Sequence, residues 1–147
     1  MKVERKSTSG TCQLLGRSLV SWSSKKQNSV ALSTVEAEYK STGSCGAQIL
    51  WMKATLNDFG IKFKKVPLLC DNESTIKLTN NLVQHARTKH IDIRHHFIRD
   101  HQQKWDISIE SVGTKDQLAD IFTKSLDEKR FCKLRNKLNI LNFSNMC

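Results

Sequence analysis

From Ser33 to Gly60 the chain runs 28 residues without a proline, its one proline being Pro67. The stretch opens on Ser33-Thr-Val-Glu36, the S-x-x-E spacing in which a serine side chain caps the first turn of a helix. Inside it Thr42, Cys45, Ile49, Met52, Leu56 and Phe59 recur at steps of three and four. That period is the signature of one buried stripe on a long helix, and such a stripe must be covered by something else in the fold.

The rest of the chain supplies what could cover it. Residues 11–24, TCQLLGRSLVSWSS, place two short apolar stretches around Gly16-Arg17-Ser18, the pattern of a β-hairpin with a glycine turn. Val66 to Cys70 is a short apolar run ended by Asp71-Asn72, with a short helix expected from Glu73. A second, basic helix is expected over Ile91 to Trp105, with Ile91, His95 and Ile98 on one side. Ile107 and Ile109 alternate with Ser108 and Glu110 as in a half-buried strand. Thr114-x-x-Gln117 repeats the capping spacing before Leu118, Ile121 and Phe122. The last helix is expected over Asp127 to Leu141, with Phe131, Leu134, Leu138 and Leu141 on one stripe. Strands alternating with helices predict an α/β domain, one core and a mixed sheet, since at least one hairpin is antiparallel.

Composition narrows the partners. The 147 residues hold 24 Lys/Arg against 14 Asp/Glu, a net charge of +10. Residues 1–35 carry six basic side chains against one acid, and residues 85–105 carry five against two together with all five histidines. A field of this sign suits a polyphosphate partner, with binding that weakens as salt rises. No apolar run reaches the roughly 18 residues of a membrane span, and the N-terminus lacks the apolar core of a signal peptide. The expectation is an intracellular protein, cytoplasmic or nuclear, neither secreted nor membrane-bound. Five scattered cysteines without a C-x-x-C pair argue for reduced thiols. With no carboxylate or cysteine at ligand spacing, His90, His95 and His96 read as surface or packing residues and not as a zinc site.

Three acids are not placed like surface charges. Stepping the apolar stripe back by four lands on Glu38, which puts this glutamate on the packed face of the long helix. Glu36 points about 160° away, at about 100° per residue, and reads as a capping residue. Asp71 sits at the carboxyl end of a strand, where α/β sheets place their ligands. Asp120 lies in the first turns after a strand and a short loop, where helix-dipole stabilisation offers an ordinary explanation. Carboxylates on separate elements that converge repel one another, and persist mainly where a hard divalent cation such as Mg²⁺ or Mn²⁺ neutralises them.

RKSTSG (5–10), SWSSKKQ (21–27), LSTVEAEY (32–39), LLCDNES (68–74), ARTKHIDIRHHFIRD (86–100) and KDQLADIFTKSL (115–126) follow in this order. Together they resemble the ribonuclease H domain of copia-type LTR-retrotransposon polyproteins, over residues 5–141, with 142–147 as a tail. The resemblance implies a ribonuclease H-like fold, a mixed sheet flanked by helices. It also implies hydrolysis of the RNA strand of an RNA–DNA hybrid, with two Mg²⁺ ions held by acidic residues that map onto Glu38, Asp71 and Asp120. Lys25, Lys26, Asn72, Arg87, Lys89 and Arg94 are the residues expected to meet nucleic acid.

The chain departs from the family's pattern at its start. The family opens this domain with a strand bearing an acidic motif of the type D-A-D-W-A-G, whereas Met1-Lys-Val-Glu-Arg-Lys6 stands just after the place where that strand would end. The missing strand is the central one, between the hairpin and the Asp71 strand, and it carries the first catalytic aspartate. Loss of about five or six strand residues and two ladders approaches the roughly 5–15 kcal/mol stability of a whole domain. The expectation is therefore a fragment that is weak or inactive as a nuclease, that borrows a strand in trans, or that follows an upstream reverse-transcriptase segment. Asn81 and Ser125 replace prolines common in the family and affect only local turns. A different class competes with this reading: a non-catalytic basic nucleic-acid-binding or assembly module.

Overall fold

The structure is a computed structural model that describes residues 6–27, 30, 33–80, 107–142 and 144. Its elements are strand β1 (Thr8–Leu15), strand β2 (Ser18–Lys26), helix α1 (Thr34–Asp58), strand β3 (Val66–Cys70), helix α2 (Glu73–Asn80), strand β4 (Ile107–Ser111) and helix α3 (Glu128–Lys137). Two 3-10 turns, Thr114–Asp116 and Leu118–Phe122, precede α3. The chain divides into two compact units, Met1–Val30 with Lys115–Cys147, and Ala31–Thr114. The sequence predicts one core and one mixed sheet. Among the described residues the strands instead form two two-stranded sheets, β1 with β2 and β3 with β4. The helix expected over Ile91 to Trp105 lies outside the described residues.

In the first unit, β1 and β2 pair antiparallel from Thr8↔Lys26 to Leu15↔Ser18. Gly16 at φ 64 makes the turn, a conformation that a side chain would strain. The register shifts between Gln13 and Leu14, where Gln13 faces Ser21 and Leu14 faces Leu19, so Val20 is bulged out. The segment Leu118–Phe122 lies on one face of the hairpin. There the Gly10 hydrogen is all that fits: a Cβ would meet the Thr123 methyl, the Ala119 carbonyl oxygen at 2.9 Å and the Phe122 carbonyl carbon at 3.0 Å. The Ser24 hydroxyl donates to the Phe122 carbonyl, tying the same segment down.

The predicted helix through Leu118, Ile121 and Phe122 is a 3-10 turn. Gln117 precedes it in an extended conformation, at φ −71, ψ 105, and its side chain does not cap the turn. Helix α3 starts where Asp127 accepts the Arg130 N–H at 3.1 Å. It ends earlier than predicted: Asn139 turns left-handed at φ 59 and the Ile140 N–H returns to the Arg135 carbonyl. Leu134 and Leu138 are fully buried, while Leu141, beyond that turn, is exposed.

In the second unit, α1 begins as its sequence directs, with the Ser33 side chain accepting the Glu36 N–H at 3.1 Å. Its buried positions form one broad face, turned away from the predicted stripe. Thr42 and Ile49 belong to both, whereas Glu36, Tyr39, Gly43 and Gly46 lie to one side of the predicted line and Cys45 is half-buried. The predicted stripe weakens toward its end: Phe59 is 78% exposed. Strands β3 and β4 pair in parallel, Val66↔Ile107 to Cys70↔Ser111. Ile49, Leu68 and Ile107 make the core between sheet and helix, with Cys45, Leu50 and Val66 around them.

Candidate acidic centre

The end of β3 is built to hold Asp71 in place. Its backbone leaves the strand at Cys70, whose carbonyl accepts the Val112 N–H at 3.0 Å. One residue later Asn72 caps α2, its side-chain oxygen accepting the Thr75 N–H at 3.1 Å and its carbonyl accepting the Ile76 N–H. Asp71 is thus the single link between a strand end and a helix start. Fully buried Thr75 sits in the first turn of that helix.

Helix α1 brings Glu38 to the same place. The Thr42 hydroxyl donates to the Glu38 carbonyl at 2.8 Å. The thiol itself is 3% exposed and contacts the Asn72 carbonyl at 3.7 Å. Burial pushes the Cys70 thiol above its ordinary pKa, and the negative charges of Glu38 and Asp71 push it in the same direction. Two of the three predicted carboxylates, from a helix and from a strand end, therefore act on one buried sulfur.

Asp120 belongs to the other unit. It is 9% exposed, and its carboxylate accepts from the Arg130 guanidinium at 2.6 Å, with the Lys124 ammonium at 3.9 Å. Its carbonyl accepts from both the Thr123 N–H and hydroxyl. Nothing in the sequence signals Arg130, ten residues away on the next helix, as its partner.

Among the described residues no group of three or more His, Cys, Asp and Glu side chains is placed to hold a metal ion. Two carboxylates can anchor a magnesium ion that keeps most of its waters. The two-ion set implied by the resemblance needs more donors than the described residues assemble.

The predicted nucleic-acid contacts divide. Lys25 and Lys26 are exposed at the end of β2. Asn72 has a structural duty as the cap of α2. Arg87, Lys89 and Arg94 lie outside the described residues. Sequence reasoning missed Cys70, the buried thiol on which the charges of Glu38 and Asp71 both act. It also misplaced Glu36, whose carboxylate is buried and paired with Lys40 at 3.1 Å. No helix among the described residues is long and apolar enough to cross a membrane.

Over most of its length the chain is similar to a segment of retrovirus-related Pol polyproteins of plant transposons, and this supports a retrotransposon-related function. It is 38% identical over 131 residues to the retrovirus-related Pol polyprotein from transposon TNT 1-94 of Nicotiana tabacum, covering 88% of this chain and 10% of that protein. Against those from transposons RE1 and RE2 of Arabidopsis thaliana it is 39% identical over 135 residues and 37% over 142. These cover 91% and 96% of this chain and 9% and 10% of the two polyproteins. The chain spans about a tenth of the length of the curated relatives it matches. No protein-family model and no solved structure matches the chain.

Proposed function

We propose that the chain is the ribonuclease H segment of a copia-type retrotransposon Pol polyprotein, derived from a divalent-metal endonuclease that cuts RNA in RNA–DNA hybrids. The observation that carries this reading is Asp71 fixed between the end of β3 and the capped start of α2, beside a buried Cys70 on which the charges of both Asp71 and Glu38 act. Two acids from different elements beside one strand end are what a phosphodiester-cleaving centre requires of its scaffold, because hydrolysis depends on fixed geometry around the scissile phosphate. The similarity to Pol polyproteins along most of the chain supports the same assignment. Asp120 is held by Arg130, so nuclease activity of the chain by itself is weak or absent.

A second reading draws on the same ion pair. With Asp120 neutralised and 24 Lys/Arg in the chain, the protein acts as a non-catalytic nucleic-acid-binding module.

One experiment separates them. The purified chain is incubated with a labelled RNA–DNA hybrid, with and without Mg²⁺, and both cleavage and salt-dependent binding are measured. Slow Mg²⁺-dependent cleavage that Asp71→Asn and Glu38→Gln each abolish supports the nuclease reading. Binding without cleavage, indifferent to Mg²⁺ and steeply weakened by salt, supports the second. Fast cleavage insensitive to both substitutions overturns the proposed site, and neither binding nor cleavage overturns both readings.

A further inference from the structure

Tryptophan is on average one of the more buried residue types, yet Trp22, in the middle of β2, is 60% exposed. One face of its indole is covered: it stacks on Phe122 with ring centroids 5.2 Å apart and planes 10° from parallel. With one face stacked and most of the residue still in solvent, the opposite face is open.

The support beneath it is tied to the hairpin. Phe122 closes the 3-10 turn that Gly10 admits onto the hairpin, and its carbonyl is held by the Ser24 hydroxyl. Trp22, Ser24 and Lys26 lie beyond the bulge and alternate onto one strand face, with Lys25 between them. An open groove of about 690 Å³ runs beside the stack, lined by Ser24, Phe122, Lys124 and Phe131 among others.

The charge of the molecule is concentrated in this unit. By sequence, Met1–Val30 with Lys115–Cys147 holds 13 Lys/Arg against 5 Asp/Glu, +8 of the total +10, and Ala31–Thr114 holds 11 against 9.

We propose that Trp22, braced by Phe122, is a stacking platform for an unpaired base of single-stranded nucleic acid, with Lys25 and Lys26 holding the adjoining phosphates. An indole face open to solvent beside cations is the combination that binds single strands without sequence preference. A duplex cannot use it, because paired bases are already stacked on each other. The proposal stands apart from the hydrolytic reading, which is tested at Glu38 and Asp71 of the other unit.

The test uses the whole chain and a labelled 20-residue oligothymidylate. Trp22→Ala is expected to weaken binding about tenfold, and Trp22→Phe to keep most of it. The exposed double substitution Lys25→Gln/Lys26→Gln leaves the stack intact, and is expected to lower the slope of log affinity against log salt by about 1.4. In a Trp51→Phe/Trp105→Phe background the Trp22 fluorescence is expected to be quenched as the oligonucleotide binds. Binding that leaves Trp22 fluorescence unchanged overturns the proposal. So does an equal loss by Trp22→Ala on oligothymidylate and on a blunt hybrid duplex, or self-association through Trp22 without oligonucleotide binding.

Discussion

At the scale of single residues, Cys70 is the most informative position. Its thiol lies against Thr42 and Asn72 and feels both Glu38 and Asp71. The neutral form is favoured in the fold, so this contribution to stability is complete below the ordinary thiol pKa and is lost as pH rises through the raised one. With Cys12, Cys45, Cys132 and Cys147 replaced by serine, thiolate absorbance is expected to titrate above the ordinary range. Asp71→Asn or Glu38→Gln is expected to move that midpoint part of the way down, burial accounting for the rest. A midpoint unmoved by either substitution would show that the two carboxylates do not share this place. The positions of Glu38 and Asp71 were legible from the helical period and the end of an apolar run. The bond of the Thr42 hydroxyl to the Glu38 carbonyl was not, because a threonine inside an apolar stripe looks like any other buried position.

Elements were legible where local chemistry decides them. Ser33 caps α1 and Asp127 caps α3 through their own side chains, using N–H groups three residues on. Ser33→Ala is expected to destabilise the protein by about 1 kcal/mol in urea unfolding. Asn72→Ala is expected to cost about as much, and Asn72→Ser to restore most of the loss, since either side chain can accept the Thr75 N–H. If Asn72→Ala left stability unchanged and only weakened nucleic-acid binding, the capping role would be wrong and the sequence-based assignment right. The same spacing does not secure the same element: Thr114-x-x-Gln117 reads like Ser33-x-x-Glu36, yet two 3-10 turns stand there, on either side of an extended Gln117, instead of an α-helix. The stripe of α3 likewise ran on to Leu141 in sequence, while a left-handed Asn139 stops the helix first.

For the whole molecule, the buried side chains fall into separate groups. Ile49, Leu68 and Ile107 lie in one unit, and Leu134 and Leu138 in the other. Each unit holds buried side chains of its own, so each is followed by its own signal. Urea unfolding followed by far-ultraviolet dichroism, dominated by the 25-residue α1, is expected not to superimpose on unfolding followed by Trp22 fluorescence in the Trp51→Phe/Trp105→Phe background. Coincident curves would show one cooperative unit. The uneven charge, +8 against +2, also assigns most polyanion attraction to the hairpin unit, a division that segment counts by themselves did not reveal.

The sequence by itself determined the hairpin, the Ser33 cap, the long helix and the strand that ends at Asp71, because turns, side-chain caps and hydrophobic periods act over a few residues. The tertiary structure alone decided that the strands pair as two sheets, that Glu36 is buried beside Lys40, and that Asp120 meets Arg130. It also decided that Trp22 keeps one face open. These depend on which surfaces meet across long stretches of chain, and no local period encodes the partner of a carboxylate or the uncovered side of a ring.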